Sequence, residues 1–159
     1  MKRKILISIN PEHVQNIIAG IKKYEYRKVA AKQDISSIII YETTPVKRIV
    51  AEAEIVDVLE LPPEELWEQT QNESGISKAF FDRYFNNRTV AFAYKLGEIK
   101  VYDTPKTLMD YGIKSAPQSF VYVWFGWGIQ MRIFENETRE RYGNTAAYRE
   151  HEQKTKNYT

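Results

Sequence analysis

Gly20-Ile21-Lys22-Lys23-Tyr24-Glu25-Tyr26-Arg27 is the most informative segment of this chain of 159 residues. Glycine favours the end of a helix, and the residues after it alternate as they do in a strand. On that strand Glu25 and Arg27 share one face, about 7 Å apart at their Cα atoms. Lys22 lies in the tight passage between the two elements. A carboxylate, a guanidinium and an ammonium in this arrangement can form a site for a polar, anionic ligand such as a nucleotide.

The same alternation has a plainer interpretation. Charged residues that alternate along a strand usually form a solvated face, and surface ion pairs contribute little to stability. The spacing alone favours this solvated face, so other parts of the chain must decide between the two interpretations.

Further strands and helices are predicted on both sides of this segment. The β-branched run over residues 4–9 predicts a strand, and a helix follows with Asn10 as its cap, Pro11 at its first position and Gly20 at its end. Pro62-Pro63 and Ser77 predict two more short helices. The chain therefore resembles an α+β, mainly β protein, a mixed β-barrel of about six strands with peripheral helices. The predicted strands are 4–9, 23–29, 37–41, 48–59, 89–96 and 119–125, with a turn or bulge at Gly97-Glu98 and one helical turn over 105–110.

Charge and composition exclude several classes of protein. Cysteine is absent, which excludes disulfide frameworks and thiolate nucleophiles, and 23 basic residues nearly balance 21 acidic ones. The small net charge hides an uneven distribution, since residues 1–33 are basic and residues 52–83 are acidic. Such asymmetry fits one basic face that meets phosphates, although charges separated in sequence can also mix in space. His13 and His151 are isolated, so we expect neither a metal site nor a cofactor.

Location and domain organisation follow from the apolar runs. The N-terminal run is too short for a signal peptide, and no run approaches the ~20 apolar residues of a membrane helix. We therefore expect a cytoplasmic protein that does not contact a membrane; its oligomeric state is not indicated. Residues 1–134 form the predicted domain. Residues 135–159 lack Val, Ile, Leu, Met, Phe and Trp, which predicts a solvated helix or a disordered end, or else a segment that docks a partner.

The central segment resembles the signature of the ASCH domain family in the PUA-like superfamily. That signature is a helix, then Gly-x-Lys-x-x-Glu-x-Arg, then a strand, and Gly20, Lys22, Glu25 and Arg27 match it. The resemblance covers roughly residues 3–126; similar segments are 7–11, 41–47, 91–96 and 116–122. It implies a PUA-like β-barrel with a cleft lined by the motif's Lys, Glu and Arg. It also implies a nucleic-acid-binding module that recognises RNA or a modified nucleobase.

The resemblance leaves enzymatic activity open. One branch of the family removes the acyl group from N4-acetylcytidine with a Lys–Thr–Glu set, and other members are reported as ribonucleases. Lys22 matches the lysine of the deacylating branch, but Glu25 stands where that branch has threonine. In a metal-independent hydrolase Lys22 and Glu25 would be the catalytic residues. A third alternative is a regulatory module that binds a protein partner through its tail.

Other candidate ligand-binding residues lie near the motif or at the ends of strands. Tyrosines beside the charged segment can stack on a base, residues at a Pro-containing turn often bind ligands, and strand residues offer a charge or a hydroxyl. These further candidates are Tyr24, Tyr26, Tyr41, Thr43, Thr44, Lys47, Lys95 and Ser119. The helical spacing of Phe80, Phe81, Tyr84 and Phe85 predicts that all four belong to the core.

Overall fold

The computed structural model describes residues 3–32 and 34–123, which belong to one compact unit that ends at Val123. Six strands and three α-helices lie in these residues, together with 3₁₀ turns at Gln71–Glu73 and Met109–Tyr111. None of these helices is long and apolar enough to cross a membrane. The predicted boundary at residue 134 and the polar tail over 135–159 lie outside the described residues and stay predictions. The elements are β1 Arg3–Ile9, α1 Pro11–Ile18, β2 Tyr24–Arg27, β3 Ile35–Glu42, β4 Arg48–Leu61, α2 Pro63–Thr70, α3 Lys78–Tyr84, β5 Ala91–Lys106 and β6 Phe120–Val123.

The six strands form one mixed sheet in the order β2-β5-β4-β3-β1-β6. β1 and β3 are parallel, and the other neighbours are antiparallel. The mainly β prediction is confirmed, but the predicted closed barrel is wrong, because β2 and β6 are the two edges of an open sheet. A closed barrel needs a ladder between its first and last strands. Instead, Nη2 of Arg27 on β2 donates a hydrogen bond to the carbonyl oxygen of Ser119, just before β6, at 2.6 Å. The Arg27 side chain therefore links the two edges of the sheet.

The prediction for β5 was too short. The strand continues through Gly97 and ends at Lys106. The bulge expected at Gly97-Glu98 is present, because Leu96 pairs with Ile55 and Ile99 with Ala53, so two residues of β5 oppose one of β4. A Cβ at Gly97 would lie 2.6 Å from Glu54 Oε2 and 2.7 Å from Val56 Cγ1, so the close approach of β4 at the bulge favours glycine.

Two apolar clusters hold the unit together. The first joins β1 and β3 to α1 through isoleucines of both strands, Val14 and Ile17. The second joins β2 and β5 to α2 and α3 and includes Phe81 and Phe85. The prediction that Phe80, Phe81, Tyr84 and Phe85 all belong to the core was wrong for Phe80, which is 37% exposed. Tyr84 is only half-buried. The seven-residue α3 buries one of its two aromatic faces and leaves the other free.

α1 begins at Pro11 and is followed by Gly20 in the left-handed region (φ 76°), as predicted. Asn10 occupies the cap position, but its side chain makes no capping hydrogen bond. Its Oδ1 accepts a hydrogen bond from Thr43 Oγ1 at 3.2 Å instead. Beyond the glycine, the backbone N–H of Lys22 donates to the carbonyl oxygen of Asn16, which ties the passage into β2 to the helix.

Candidate functional site

A cleft with a volume of ≈ 140 Å³ opens where the end of β1, the first turn of α1, β2 and α3 meet. Charged, aromatic and hydroxyl-bearing side chains line it, so the cleft can offer both hydrogen bonds and stacking surfaces. The three charged residues of the motif are all in this lining. The lining residues are Ser8, Ile9, Asn10, His13, Lys22, Glu25, Tyr26, Arg27, Ile76, Phe80 and Tyr84.

Lys22 lies at the bottom of the cleft and is only 3% exposed. Its Nζ donates to the carbonyl oxygen of Ser74 at 3.0 Å and lies 4.7 Å from the centre of the Tyr26 ring. Burial lowers the pKa of the Lys22 ammonium, and the negative charge of Glu25 partly opposes this. An ammonium held in this way retains donors for a ligand and gives up its proton more readily than a surface lysine does.

Gly75 allows Lys22 to occupy this position. A Cβ at Gly75 would lie 2.5 Å from Lys22 Cβ, a separation that side chains do not adopt. Gly75 also has a φ of 65°, which favours glycine. The segment between α2 and α3 therefore passes directly against the lysine stem and supplies the carbonyl oxygen of Ser74 to its ammonium.

Glu25 and Arg27 face the cleft from the same side of β2. An Oε1 of Glu25 lies 3.4 Å from Nη1 of Arg27, while Nη2 is held by the carbonyl oxygen of Ser119. Glu25 is 5% exposed, so this pair does not form the solvated strand face that the spacing alone favoured. The guanidinium is held at two of its nitrogens and has further N–H donors beyond these two contacts.

His13 enters the cleft from the first turn of α1. Its ring meets the Phe80 ring edge-on at 5.3 Å between centroids. Its Nδ1 is buried and has no hydrogen-bond partner among residues 3–32 and 34–123. Burial and the charge of Lys22 lower the pKa of His13, against the opposing charges of Glu25 and Glu12. The neutral imidazole is therefore the favoured form near neutral pH.

Aromatic rings form the apolar walls. Phe80 and Tyr84 come from the free face of α3, and Lys28 Nζ lies 5.0 Å from the Tyr84 ring centre. Tyr26 packs edge-on against Phe81, and its hydroxyl shares a 2.7 Å hydrogen bond with Thr70 Oγ1. Burial raises the pKa of Tyr26 to about 12, so this ring is a neutral, fixed wall.

Several predicted ligand-binding residues do not line the cleft. Tyr24 packs in the second apolar cluster, and Tyr41 is buried within β3. Thr44 and Lys47 are exposed in the turn between β3 and β4. Lys95 is exposed and lines a different cavity of ≈ 410 Å³, beside Lys23 and Glu73.

Two other candidates lie at the edge of the cleft. Thr43 hydrogen-bonds to the lining residue Asn10, and Ser119 contributes its backbone carbonyl oxygen to Arg27. Thr43 also donates its backbone N–H to the carbonyl oxygen of Ile9, a second lining residue, at 3.0 Å. Both candidates therefore contact lining residues from the edge of the cleft.

Sequence reasoning missed His13, Asn10 and the Phe80 face of α3 as lining residues. One signal was present, because His13 and Asn10 adjoin a strand-to-helix junction and connections often carry binding residues. A second signal was the short length of the helix after Ser77, which has two aromatic faces. Within the described residues no group of three His, Asp or Glu side chains has an arrangement that could hold a metal ion.

Comparisons with known proteins identify a matching family and a similar fold. The model of the ASCH domain family matches residues 7–103. Among solved structures, ASCH from Zymomonas mobilis is similar, with a TM-score of 0.71 and 24% identity over 82% of this chain and 93% of that one. At this identity the likeness shows the fold alone.

Curated relatives come from two organisms. The ASCH domain-containing ribonuclease of Zymomonas mobilis is 28% identical over 96 residues, which are 60% of this chain and 65% of that protein. From Ureaplasma parvum, ATP synthase subunit alpha is 25% identical over 123 residues and large ribosomal subunit protein uL22 is 26% identical over 120. The matched region spans only 15% and 39% of the length of these two proteins.

Proposed function

This chain belongs to the ASCH domain family, and on that premise we propose that its cleft binds RNA, with one nucleotide or modified nucleobase inside. The observation that carries the proposal is the convergence of Lys22, Glu25 and Arg27 in one cleft with aromatic walls. Its ribonuclease relative supports an RNA-related role. The ligand-binding role of each residue is part of the proposal.

The charged groups offer complementary hydrogen bonds. Lys22 and Arg27 are donors for a phosphate or for the acceptor atoms of a base edge. Glu25 accepts a hydrogen bond from an exocyclic amine or orients Arg27, from which it lies 3.4 Å. Burial supports this use, because a desolvated charge interacts more strongly with a ligand than a solvated one does.

Phe80 and Tyr84 supply the stacking surface. A base stacked on an aromatic ring contributes about 1–3 kcal/mol and needs no particular sequence. Lys28 and Arg88, both exposed, lie near the Tyr84 ring, and the positive charge of Arg27 also interacts with the Tyr84 side chain. These cations can contact the phosphates that flank a base bound inside. A cleft of ≈ 140 Å³ has room for one base and not for a duplex.

Fluorescence anisotropy with labelled single-stranded RNA tests this proposal. The four oligonucleotides are five nucleotides long, each with A, C, G or U as its only base. The protein variants are Lys22→Met and Arg27→Gln. Each variant should lose about 10- to 100-fold in affinity, because hydrogen bonds to charged groups contribute about 1.5–3 kcal/mol. Lys100→Ala removes one exposed positive charge from β5, outside the cleft lining, and should bind as the wild type does. Equal weakening by all three variants would indicate nonspecific attraction and contradict the proposal.

A second candidate function is a metal-independent hydrolase acting on RNA or on a modified nucleoside. The lowered pKa of Lys22 beside Glu25 favours it, since a lysine that gives up its proton more readily than usual is better suited to acid–base catalysis. The ribonuclease relative points to the same class of reaction.

Incubation with RNA and with N4-acetylcytidine separates the two functions. Turnover in the presence of a chelator that is lost in Lys22→Met and in Glu25→Gln would establish the hydrolase. Retained RNA binding without turnover of either substrate would leave the binding function alone.

A further inference from the structure

We propose that His13 is a specificity-determining residue of the cleft, whose Nδ1 accepts a hydrogen bond from an N–H group of the bound nucleobase. The inference rests on the proposed RNA-binding function and adds a requirement on the ligand. The base must present an N–H donor at the edge that lies beside the Phe80 ring, which His13 meets at 5.3 Å.

The unsatisfied nitrogen is the first observation. Buried polar atoms in folded proteins are nearly always hydrogen-bonded, and an unmade bond carries a free-energy cost. Nδ1 of His13 is the side-chain atom within residues 3–32 and 34–123 that is buried and unpartnered. Because His13 also lines the cleft, a ligand there can supply the missing partner.

The balance of donors and acceptors in the cleft is the second observation. Lys22 and Arg27 can only donate hydrogen bonds, and Glu25 already lies 3.4 Å from Arg27. A nucleobase edge carries N–H donors as well as acceptor atoms. A cleft that reads such an edge can use an acceptor beside Glu25, and a neutral imidazole protonated on Nε2 supplies one at Nδ1.

The charges around His13 keep that acceptor available. Lys22 and burial disfavour the imidazolium, whereas Glu25 and Glu12 favour it. Phe80, the contact from α3, carries no charge. The net effect lowers the pKa of His13, which favours the neutral imidazole, the form that has one acceptor nitrogen.

Nuclear magnetic resonance of the imidazole nitrogens tests the contact directly. The chain has only two histidines, and the variant His151→Gln assigns their signals. In full-length protein labelled with ¹⁵N-histidine, the tightest-binding of the four oligonucleotides should shift the Nδ1 resonance of His13 toward that of a hydrogen-bonded nitrogen. A His13 signal that stays unchanged at saturation would overturn the proposal, because the bound base would then make no hydrogen bond to Nδ1.

Affinity measurements on His13 variants give an independent readout. His13→Phe keeps a ring but removes the acceptor, and it should weaken binding about 3- to 10-fold. His13→Asn places an amide oxygen near the position of Nδ1 and should restore much of the loss, whereas His13→Gln, which resembles the Nε2 side, should not. Equal affinity of the Phe variant and the wild type would refute the role of His13.

The same titrations separate the two proposals. If Arg27→Gln weakens binding and His13→Phe does not, the cleft binds RNA and only the role of His13 is wrong. If wild-type protein binds none of the oligonucleotides, the RNA-binding function fails, and the inference about His13 fails with it.

Discussion

A glycine outside the charged segment of residues 20–27 controls the position of Lys22. We expect Gly75→Ala to displace the lysine stem, because the new Cβ would lie 2.5 Å from Lys22 Cβ, and to add about 1–2 kcal/mol of left-handed backbone strain. Gly20→Ala is the matched control, since its φ is also positive at 76° but no atom lies within 4 Å of its Cβ. Urea unfolding and RNA affinity should both be affected at Gly75, and stability alone at Gly20. Equal loss of RNA affinity in both variants would contradict this explanation.

The stability of the protein should depend on pH through His13. Its pKa in the folded protein lies below the ordinary value of 6.5, so the unfolded chain takes up a proton first as the pH falls. The free energy of unfolding should therefore decrease from about pH 6.5 down to the folded pKa of His13, and become independent of this residue below it. The difference between wild type and His13→Gln in urea unfolding at several pH values measures the effect. A difference that is constant across this range would show that the pKa is not lowered.

At the residue scale, local spacing predicted the direction in which the side chains of β2 point but not how deeply they are buried. The alternation in β2 correctly placed Glu25 and Arg27 on one face, because side-chain direction in a strand is a local property. The burial of Glu25 was not predictable, since α1, α3 and the segment with Gly75 create it from distant parts of the chain. His13 was judged isolated for the same reason.

Among the elements, α3 decides the aromatic wall of the cleft. Ser77 caps this helix, as predicted, with its Oγ accepting from the backbone N–H of Phe80 at 3.1 Å. We expect Ser77→Ala to destabilise the protein by about 1 kcal/mol and to loosen the Phe80 wall, which lowers RNA affinity. Thermal unfolding and anisotropy measure the two effects, and Ser77→Asp, which retains a cap, is the control. Unchanged stability in the alanine variant would show that the cap does not support the helix.

The elements themselves were predictable where a local pattern is sufficient. β1, β3 and the starts of α1 and α3 follow from apolar runs and capping residues. β5 was predicted too short because the strand continues past the bulge at Gly97-Glu98, where Glu54 Oε2 and Val56 Cγ1 of the neighbouring strand crowd the glycine. Cross-strand crowding of this kind has no signature in the sequence near the glycine.

At the scale of the molecule, strand order was the least predictable property. Several ladders join residues far apart in sequence, such as β1 with β6, and loop closure is nearly indifferent to which strands meet. The barrel prediction therefore failed at the β2–β6 edge, where Arg27 and the carbonyl oxygen of Ser119 take the place of a ladder.

The distribution of charge over the molecule predicts a modest salt dependence of RNA binding. The net charge of +2 cannot attract RNA strongly, so binding should depend on the few cations near Tyr84: Arg27, Lys28 and Arg88. If they contact about three phosphates of a single strand, the logarithm of affinity should fall with the logarithm of salt concentration with a slope near −2. Lys28→Ala combined with Arg88→Ala should bring the slope to about −0.7, since each lost phosphate contact removes about 0.7. The preference among the four oligonucleotides should persist in this double variant, because the base is read inside the cleft. A slope that is unchanged in the double variant would place the phosphates elsewhere on the surface, and a lost base preference would mean that the cleft does not read the base.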